Sequence, residues 1–379
     1  MVERALYIHL PWCARKCPYC DFNSHSFANT FPEEQYVQAL CRDLEFEAEH
    51  FPDTQISSIF FGGGTPSLFQ AQSIGHLLNV IFQRFSIANN IEITLEANPG
   101  SSEQQKFLGF KEAGINRLSI GVQSLHDAQL KALGRIHSAR EAELAIRAAL
   151  GCHFDSVNID LMFALPEQSV EEAATDLEKM LSYDPPHLSY YQLTLEPNTL
   201  FYKMPPTLPS EDLSWQMQCQ AQDKLRQKGW IQYEVSAYAT TNHQCAHNLN
   251  YWQYGDYLAL GAGAHGKVTQ QSNILRYMKA KHPATYMRQA GTPECRQQSH
   301  SVARIDRPFE FMLNRLRLLQ PFDPEEFCRR TCLPMDVIQS PLKQALEQDM
   351  LEYQGRSLSV TPIGRKFLND LVALFLPHN

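Results

Sequence analysis

The sequence predicts an α/β protein with a parallel sheet, followed by a smaller α+β unit. Short apolar segments alternate with amphipathic helical segments through the first two-thirds of the chain, as in repeated βα units. Successive units are spaced by about 25 to 50 residues, which suits helices packed outside the sheet. At 379 residues the chain is long enough for two domains. Periodicity alone does not separate an open, doubly wound sheet from a barrel.

The predicted strands are short, rich in Ile, Leu, Val, Phe or Tyr, and bounded by turn residues. They lie at residues 5–10, 56–62, 91–97, 117–123, 156–165 and 188–196. Helical patterns between them predict helices at residues 32–50, 70–85, 101–113, 139–150 and 170–182. Glu33 and Glu34 after Pro32, and Ser101 and Ser102 before a glutamate, are typical of helix starts.

The pattern changes in the last third of the chain. A proline-rich stretch at residues 202–210 precedes a predicted helix at 211–228 and a seventh strand at 232–239. From about Thr240 we expect a Gly-rich loop, then helices, a small hairpin and a helix at 362–376. The prediction is a core domain at residues 1–239 and a C-terminal domain at 240–379 with a winged-helix-like end.

The composition disfavours several classes of protein. A formal net charge of −8 provides no basic stripe to neutralise phosphates, so we expect no nucleic-acid partner. No run of apolar residues is long enough to span a membrane, which leaves peripheral membrane contact open. The N-terminus lacks a secretory signal pattern. Ten cysteines, three of them clustered, fit a reducing compartment better than a disulfide framework, so the expected location is the cytoplasm.

Three cysteines with the spacing Cys-x3-Cys-x2-Cys follow the first predicted strand. They are Cys13, Cys17 and Cys20. Three thiolates can hold a cubane iron–sulfur cluster and leave one iron open to a small molecule. The alternative is a zinc site that takes a fourth ligand from a distant residue or from a nearby one. The nearby candidates are His9, Asp21 and His25. We favour the cluster, because zinc ligands usually come as two separated pairs and the chain has no second Cys-x2-Cys.

Polar residues lie at the ends of several predicted strands, where ligands collect in parallel βα folds. Three consecutive glycines at residues 62–64 let backbone groups approach a ligand, although a plain tight turn explains such a run equally well. No lysine follows them, so they do not form a P-loop. Glu96, Gln123 and Asp160 belong to later strands. Each alone would be an ordinary polar residue, but all lie at the same end of the sheet as the thiolates.

Four motifs together resemble the radical S-adenosylmethionine (SAM) superfamily. They are Cys-x3-Cys-x2-Cys, Gly-Gly-Gly-Thr-Pro-Ser, Glu-Ala-Asn-Pro and Arg-Leu-Ser-Ile-Gly-Val-Gln-Ser. Within the superfamily they are similar to the branch of oxygen-independent coproporphyrinogen III dehydrogenases and related heme chaperones. The resemblance covers nearly the whole chain and includes a C-terminal domain like that of the dehydrogenases. It implies an incomplete (β/α) TIM-like barrel.

The resemblance also implies the cofactors. The three cysteines would bind three irons of a [4Fe–4S] cluster, and SAM would chelate the fourth iron and be cleaved on reduction to methionine and a 5′-deoxyadenosyl radical. Tyr19 would lie beside adenine, and Arg135 would provide a cation for the SAM carboxylate. The positions that match SAM contacts of the family are Tyr7, Tyr19, Gly63, Gly64, Thr65, Glu96, Gln123, Arg135 and Asp160.

Three features favour the heme-chaperone side of this branch. The resembled dehydrogenases have a fourth cysteine at the position of Phe22. They also have a longer N-terminal segment than this chain. His247 lies in His-Asn-Leu-Asn-Tyr-Trp, similar to a heme-chaperone motif whose histidine is linked with heme binding. An imidazole can ligate heme iron, but a loop histidine bonded to the backbone is the alternative, and Cys245 is a rival ligand. His265 falls near a position that lines the SAM site in the dehydrogenases.

We therefore expect a heme chaperone that binds heme and a [4Fe–4S] cluster with SAM and delivers heme to acceptor hemoproteins. Its core would be capable of cleaving SAM without coproporphyrinogen dehydrogenase activity. The alternative is an oxygen-independent coproporphyrinogen III dehydrogenase, which decarboxylates propionates by hydrogen abstraction. A third hypothesis is a cluster protein that transfers electrons or senses iron, which leaves the glycine turn and the aligned polar residues unexplained.

Overall fold

The structure is a computed structural model of the chain and describes residues 1–100 and 103–377. The first elements in chain order are β1 (Val2–Leu10), β2 (Trp12–Cys13), β3 (His25–Ser26), α1 (Glu33–His50), β4 (Thr54–Gly63), α2 (Ala71–Arg84), β5 (Ser86–Ala97), α3 (Glu103–Glu112), β6 (Arg117–Gln123), α4 (Asp127–Ala132), α5 (Ala139–Gly151), β7 (Ser156–Phe163), α6 (Val170–Leu181) and β8 (His187–Gln192). The next are α7 (Leu200–Lys203), α8 (Glu211–Gln227), β9 (Ile231–Glu234), β10 (Ala237–Ala239), α9 (Ala246–Trp252), β11 (Tyr257–Leu260), β12 (His265–Gln270), β13 (Asn273–Lys279), α10 (Pro283–Gln289) and β14 (Arg296–Ser301). The last are α11 (Arg307–Arg315), α12 (Pro324–Thr331), α13 (Gln339–Glu347), β15 (Leu351–Gln354), β16 (Ser357–Val360), α14 (Pro362–Lys366) and α15 (Leu368–Ala373). Short 3₁₀ turns lie at Pro66–Leu68, Pro293–Cys295 and Met335–Ile338.

One large sheet dominates the described part of the chain. Its twelve strands follow the order β14-β13-β12-β11-β1-β4-β5-β6-β7-β8-β10-β9. The seven strands from β11 to β8 are parallel, and antiparallel strands extend both edges. Parallel strands covered on both faces are apolar on both faces, and β6 is accordingly buried at every residue. Because the order runs from β14 to β9 without closing, the prediction of an incomplete TIM-like barrel is confirmed.

The helices between the strands begin at residues that cap them. Ser138 and Ser169 each form a capping box with the glutamate three residues later, which satisfies N–H groups that the first helical turn leaves without partners. Buried residues of α6 recur every three or four positions, the spacing of one apolar face. The six predicted strands are present, and the helices predicted at 32–50, 70–85, 139–150 and 170–182 are confirmed within one residue at each end. The predicted start at Ser101 and Ser102 lies outside the described residues.

The segment after Thr240 differs from the prediction of a loop followed by helices. It contributes four strands, β11 to β14, and β11 lies beside β1 as a further parallel strand. Strand β11 was missed because it has four residues and its partner lies at the opposite end of the sequence. The strand predicted at 232–239 is divided into β9 and β10 by a turn at Val235 and Ser236, and the helix predicted at 362–376 is divided at Phe367.

A second hydrophobic core begins where the large sheet ends. Most of its buried side chains follow residue 301, among them Phe311, Phe327 and Leu371, and the predicted hairpin is present as β15 and β16. The predicted boundary at residue 239 lies within the chain of the large sheet, because β11 to β14 continue that sheet. We therefore propose a domain boundary near residue 302.

A buried group of charges fastens the added strands to the first helix. Lys279 of β13 donates to Asp43 and, at 2.6 Å, to Glu47 of α1. Arg296 of β14 pairs with Glu47 at 2.9 Å, and the Tyr286 hydroxyl donates to Asp43 at 2.8 Å. The side chains of Lys279, Asp43 and Glu47 are fully buried, so each charge depends on its partners.

Replacing Lys279→Met should lower the free energy of unfolding by about 3–5 kcal/mol, because two buried carboxylates would lose their common cation. Urea unfolding followed by circular dichroism measures this loss. The control is Lys343→Met, which removes an exposed ion pair with Glu347 and should change the free energy by less than about 0.5 kcal/mol. Equally small effects of both variants would contradict the role given to the buried group.

Candidate cluster and cofactor site

The three cysteines lie on a loop that follows β1 and folds back against it. Cys13 ends β2, which pairs in parallel with β3, and the His25 N–H donates to the Pro11 carbonyl at 2.7 Å. In the turn between these strands, the Cys20 N–H donates to the Cys17 carbonyl at 3.2 Å. Cys13 is buried and the other two cysteines are half-buried. The β2–β3 pair therefore closes the loop around its three thiols.

Two side chains donate hydrogen bonds to cysteine sulfurs. Thr65 Oγ1 donates to Cys13 Sγ at 3.5 Å, and Arg135 Nη1 donates to Cys17 Sγ at 3.6 Å. Burial raises the pKa of Cys13 and of Cys20, so without metal these thiols keep their protons. A metal centre would displace the protons and bind the groups as thiolates. Donors to the sulfurs stabilise that charge and tune the potential of an iron–sulfur cluster.

The zinc alternative requires several ligands placed around one ion. Among residues 1–100 and 103–377, no group of three or more His, Cys, Asp or Glu side chains is placed to hold one metal ion. A zinc site completed by His9, Asp21 or His25 therefore has no support in the ligand geometry.

The glycine turn brings the end of β4 against the cysteine loop. Gly63 has a φ of +116°, and a Cβ there would lie 2.5 Å from the His9 ring. A Cβ on Gly64 would lie 2.5 Å from the Trp12 carbonyl oxygen. The next residue, Thr65, donates its N–H to that carbonyl at 2.8 Å. The contact between β4 and the loop therefore requires residues without side chains at both positions.

Glu96 of β5 and Asp160 of β7 form the acidic part of the site. The Gly63 N–H donates to Glu96 Oε2 at 3.1 Å. Burial and the nearby charge of Asp160 raise the pKa of Glu96 to about 8. Asp160 accepts hydrogen bonds from Asn158 at 2.7 Å and from Ser119 at 3.4 Å, and burial raises its pKa as well. Two carboxyl groups in a partly dry site favour a cationic ligand.

Arg135 links the cysteine loop to the ends of two strands. Its Nη2 donates to Asn98 Oδ1 at 2.6 Å and to the Gly121 carbonyl at 2.7 Å, while Nη1 reaches Cys17. Asn98 in turn donates to Thr65 Oγ1 at 2.9 Å. Arg135 therefore connects Cys17 with Asn98 and Gly121, and its predicted pairing with the SAM carboxylate stays a prediction.

Gln123 and Tyr19 are held by aromatic neighbours. Gln123 ends β6 with a φ of +70°, and its Oε1 accepts a hydrogen bond from the Tyr191 hydroxyl at 2.8 Å. The Tyr19 ring packs against Phe201 with the centroids 6.4 Å apart. Sequence reasoning missed Tyr191, which lies inside the strand predicted at residues 188–196, and left Asn98 out of the site residues although it belongs to the Glu-Ala-Asn-Pro motif.

Two cavities flank the cysteine loop. The larger has a volume of about 760 Å³ and extends from the ends of β1, β4 and β5 to β11, β12 and β13. Three predicted SAM contacts line it: Tyr7, Gly63 and Glu96. The smaller has a volume of about 430 Å³. Its lining includes Cys17, Thr65 and Arg135. Five of the nine predicted contacts are therefore divided between the two cavities, whereas Tyr19, Gly64, Gln123 and Asp160 line neither of them.

Comparison with known proteins assigns this chain to a family. Residues 7–180 match the Radical SAM superfamily, and residues 302–367 match the HemN C-terminal domain. The heme chaperone HemW of Haemophilus influenzae is 47% identical over 377 residues, covering 98% of this chain and 97% of that protein. HemW of Escherichia coli is 46% identical over 373 residues, covering 98% of each. The chain belongs to the HemW family of the radical SAM superfamily.

The HemW family shares its fold with a solved enzyme structure. Coproporphyrinogen III oxidase (HemN) from Escherichia coli superposes on this chain with a TM-score of 0.83 at 21% identity. The superposition covers 99% of this chain and 90% of the enzyme. It agrees with the open barrel and with the appended C-terminal domain.

In this member of the HemW family, the histidine of the predicted heme motif is buried. His247 has 0% of its surface exposed. Its Nδ1 lies 2.9 Å from Ser58 Oγ, and its Nε2 lies 2.9 Å from the Tyr251 hydroxyl. Burial lowers the pKa of His247 to about 3. The rival ligand Cys245 is also buried, and its thiol donates to Glu92 at 3.4 Å.

Replacing Glu96→Gln should stabilise the protein without ligands at high pH. The pKa of the carboxyl is about 8 in the folded protein against 4.5 ordinarily, so its contribution to stability is present at low pH and is lost as the pH rises through 8. Near pH 4.5 we expect the variant and the wild type to have the same free energy of unfolding. Above pH 8 the free energy of unfolding of the variant should be higher by roughly 2 kcal/mol, a value reduced because the side chain is partly exposed.

Urea unfolding from pH 4.5 to pH 9 measures this difference. The control is Glu49→Gln, which changes an exposed carboxylate on α1 and should give a difference that stays flat across the range. A flat difference for Glu96→Gln as well would contradict the environment described for this carboxyl.

Proposed function

We propose that this chain is a heme chaperone, which binds heme together with a [4Fe–4S] cluster and SAM and delivers the heme to acceptor hemoproteins. The observation that carries the proposal is its similarity to HemW proteins over nearly the full length of both chains. The larger cavity supports it, because a volume of about 760 Å³ lies within the range of roughly 300–1,000 Å³ typical of small-molecule sites.

The cluster ligands in this proposal are Cys13, Cys17 and Cys20. When bound and reduced, the cluster supplies the electron that cleaves a carbon–sulfur bond of SAM. The chain itself orients the three thiols through the closed loop and stabilises the charge on two of them, because Thr65 and Arg135 donate to their sulfurs. Arg135 also holds Asn98, so we assign it to the support of the cysteine loop.

The proposed SAM contacts are the positions that the sequence predicted, namely Tyr7, Tyr19, Gly63, Gly64, Thr65, Glu96, Gln123, Arg135 and Asp160. Support is most direct for the three that line the larger cavity. Among these, Glu96 lies next to the glycine turn, accepts a hydrogen bond from the Gly63 N–H and is acidic, so it can also accept a hydrogen bond from the cationic amino group of SAM. Asp160 lies close enough to raise the pKa of that carboxyl and adds to its preference for a cation.

The alternative function, oxidation of coproporphyrinogen III, has less support. The solved HemN structure is 21% identical to this chain, and likeness at that level shows the fold alone. Phe22 occupies the position at which the resembled dehydrogenases have a fourth cysteine. Its side chain is 57% exposed and lines the larger cavity. An electron-transfer or iron-sensing protein would have no need of that cavity.

We also propose a cytoplasmic location without a nucleic-acid partner. None of the helices in the described part of the chain combines the length and apolar character that a membrane span requires. All ten cysteines are free thiols, which supports a reducing compartment. The net charge of −8 opposes binding to phosphate backbones.

Anaerobic reconstitution with iron and sulfide, followed by titration with heme, tests the proposed function. We expect iron–sulfur absorption, a Soret band on addition of heme, and transfer of that heme to a heme-free hemoprotein. With SAM and a reductant present, coproporphyrinogen III should remain unchanged. Turnover of coproporphyrinogen III, or the absence of a heme-dependent Soret band, would contradict the proposal.

The cluster ligands are tested separately. Cys17→Ser should abolish the iron–sulfur absorption, whereas Cys219→Ser, which changes another half-buried cysteine on α8, should leave it unchanged. If Cys17→Ser retains the iron and sulfide content of the wild type, the cysteine loop is not the cluster site.

A further inference from the structure

The larger cavity has an outer part beyond the proposed SAM contacts. From Tyr7, Gly63 and Glu96 it extends past α9 to β11, β12 and β13. The aromatic side chains of this outer wall are Tyr251, Trp252, Tyr254 and Tyr257. The Tyr251 and Tyr257 rings meet edge to face with the centroids 4.6 Å apart. The hydroxyls of Tyr251, Tyr254 and Tyr257 are bonded to His247, Glu310 and Arg276, so the wall offers mainly ring surface, which suits a flat aromatic ligand.

Histidine side chains also line this cavity, and they differ in accessibility. They are His9, His25 and His265. His9 is buried, and both its ring nitrogens are engaged, with the Tyr7 hydroxyl at 3.0 Å and the Asn23 carbonyl at 2.9 Å. His25 is half-buried, while His265, the first residue of β12, is exposed. His265 is therefore the imidazole that a ligand in the cavity can reach most directly.

Cations surround that imidazole. Partial enclosure of the ring and the charges of Lys281 and Arg276 lower the pKa of His265, so at neutral pH the ring keeps a lone pair for a metal. Arg276 is held by Glu310 at 2.7 Å. Lys281 and Lys16 are exposed where they line the cavity, and Lys16 Nζ also donates to the Phe22 carbonyl at 2.9 Å. Two exposed ammonium groups beside an aromatic wall can pair with two carboxylates of one ligand.

His247 is separated from the cavity by Tyr251. Its ring is fully buried, and its two nitrogens are engaged with Ser58 and Tyr251. Tyr251 itself lines the cavity, so a change at His247 reaches the cavity through the orientation of this tyrosine. The geometry makes His247 a positioning residue.

We propose that heme binds in the outer part of the larger cavity, with its iron ligated by the His265 imidazole and its propionates paired with Lys281 and Lys16. His247 holds Tyr251 against the porphyrin. This assignment rests on the proposed heme-chaperone function and differs from the sequence prediction, which linked heme binding with His247. A metal-free porphyrin would contact the same wall and the same lysines but would have no need of His265.

Parallel titrations with ferric heme and with metal-free protoporphyrin IX test the assignment on the full-length, cluster-loaded protein. His265→Ala should weaken ferric heme binding by on the order of tenfold or more and shift the Soret band, while the affinity for protoporphyrin IX stays within about twofold of the wild type. Lys281→Met should weaken both ligands. His247→Ala should weaken both ligands in similar proportion, because it acts through Tyr251.

The matched control is His300→Ala, which changes an exposed histidine on β14 and should leave both affinities and the Soret band unchanged. Wild-type heme affinity and spectrum in His265→Ala would overturn the assignment. Selective loss of ferric heme in His247→Ala would also overturn it and would return the ligand role to His247. A wild-type protein without any Soret band would instead refute the proposed function itself.

Discussion

The close contact between the glycine turn and the cysteine loop is the constraint on which the whole site depends. Two glycines of this turn lie where a Cβ would collide with β1 or with the loop. Because the space is free of side chains, Thr65 can donate to the sulfur of Cys13 and the Gly63 N–H can donate to Glu96. The cysteine loop, the acidic group and the inner end of the larger cavity therefore meet within one turn of backbone. A bulkier residue here would separate all three.

The charges of the site are arranged by sign. Arg135 lies against the cysteine loop, where thiolates carry negative charge once metal is bound. Glu96 and Asp160 lie on the other side of the turn, where a ligand with amino and sulfonium groups would bring positive charge. A carboxyl whose pKa has been raised by burial can release its proton when such a cation arrives. Binding of the cofactor and protonation of the site are consequently coupled through the same side chains.

The outer cavity depends on strands that are remote in sequence from the cluster loop. Strands β11 to β13 place His265 and Lys281 opposite the glycine turn, and the buried pairing of Lys279 with Asp43 and Glu47 holds them against α1. The antiparallel extension of the sheet thus lines the larger cavity in addition to extending the scaffold. In the proposed arrangement, this extension would form the wall for a second ligand next to the proposed SAM contacts.

The sequence by itself determined the succession of βα units, the spacing of the cysteine ligands and the glycine turn, because each depends on residues within a few positions of one another. The tertiary structure decided the rest. It placed β11 beside β1, directed the hydrogen bonds of Arg135 to Asn98 and Gly121, and buried His247 while leaving His265 exposed. These outcomes rest on contacts between segments far apart in the chain. Residue type and local pattern do not record whether a histidine faces the core or a cavity; packing alone decides it.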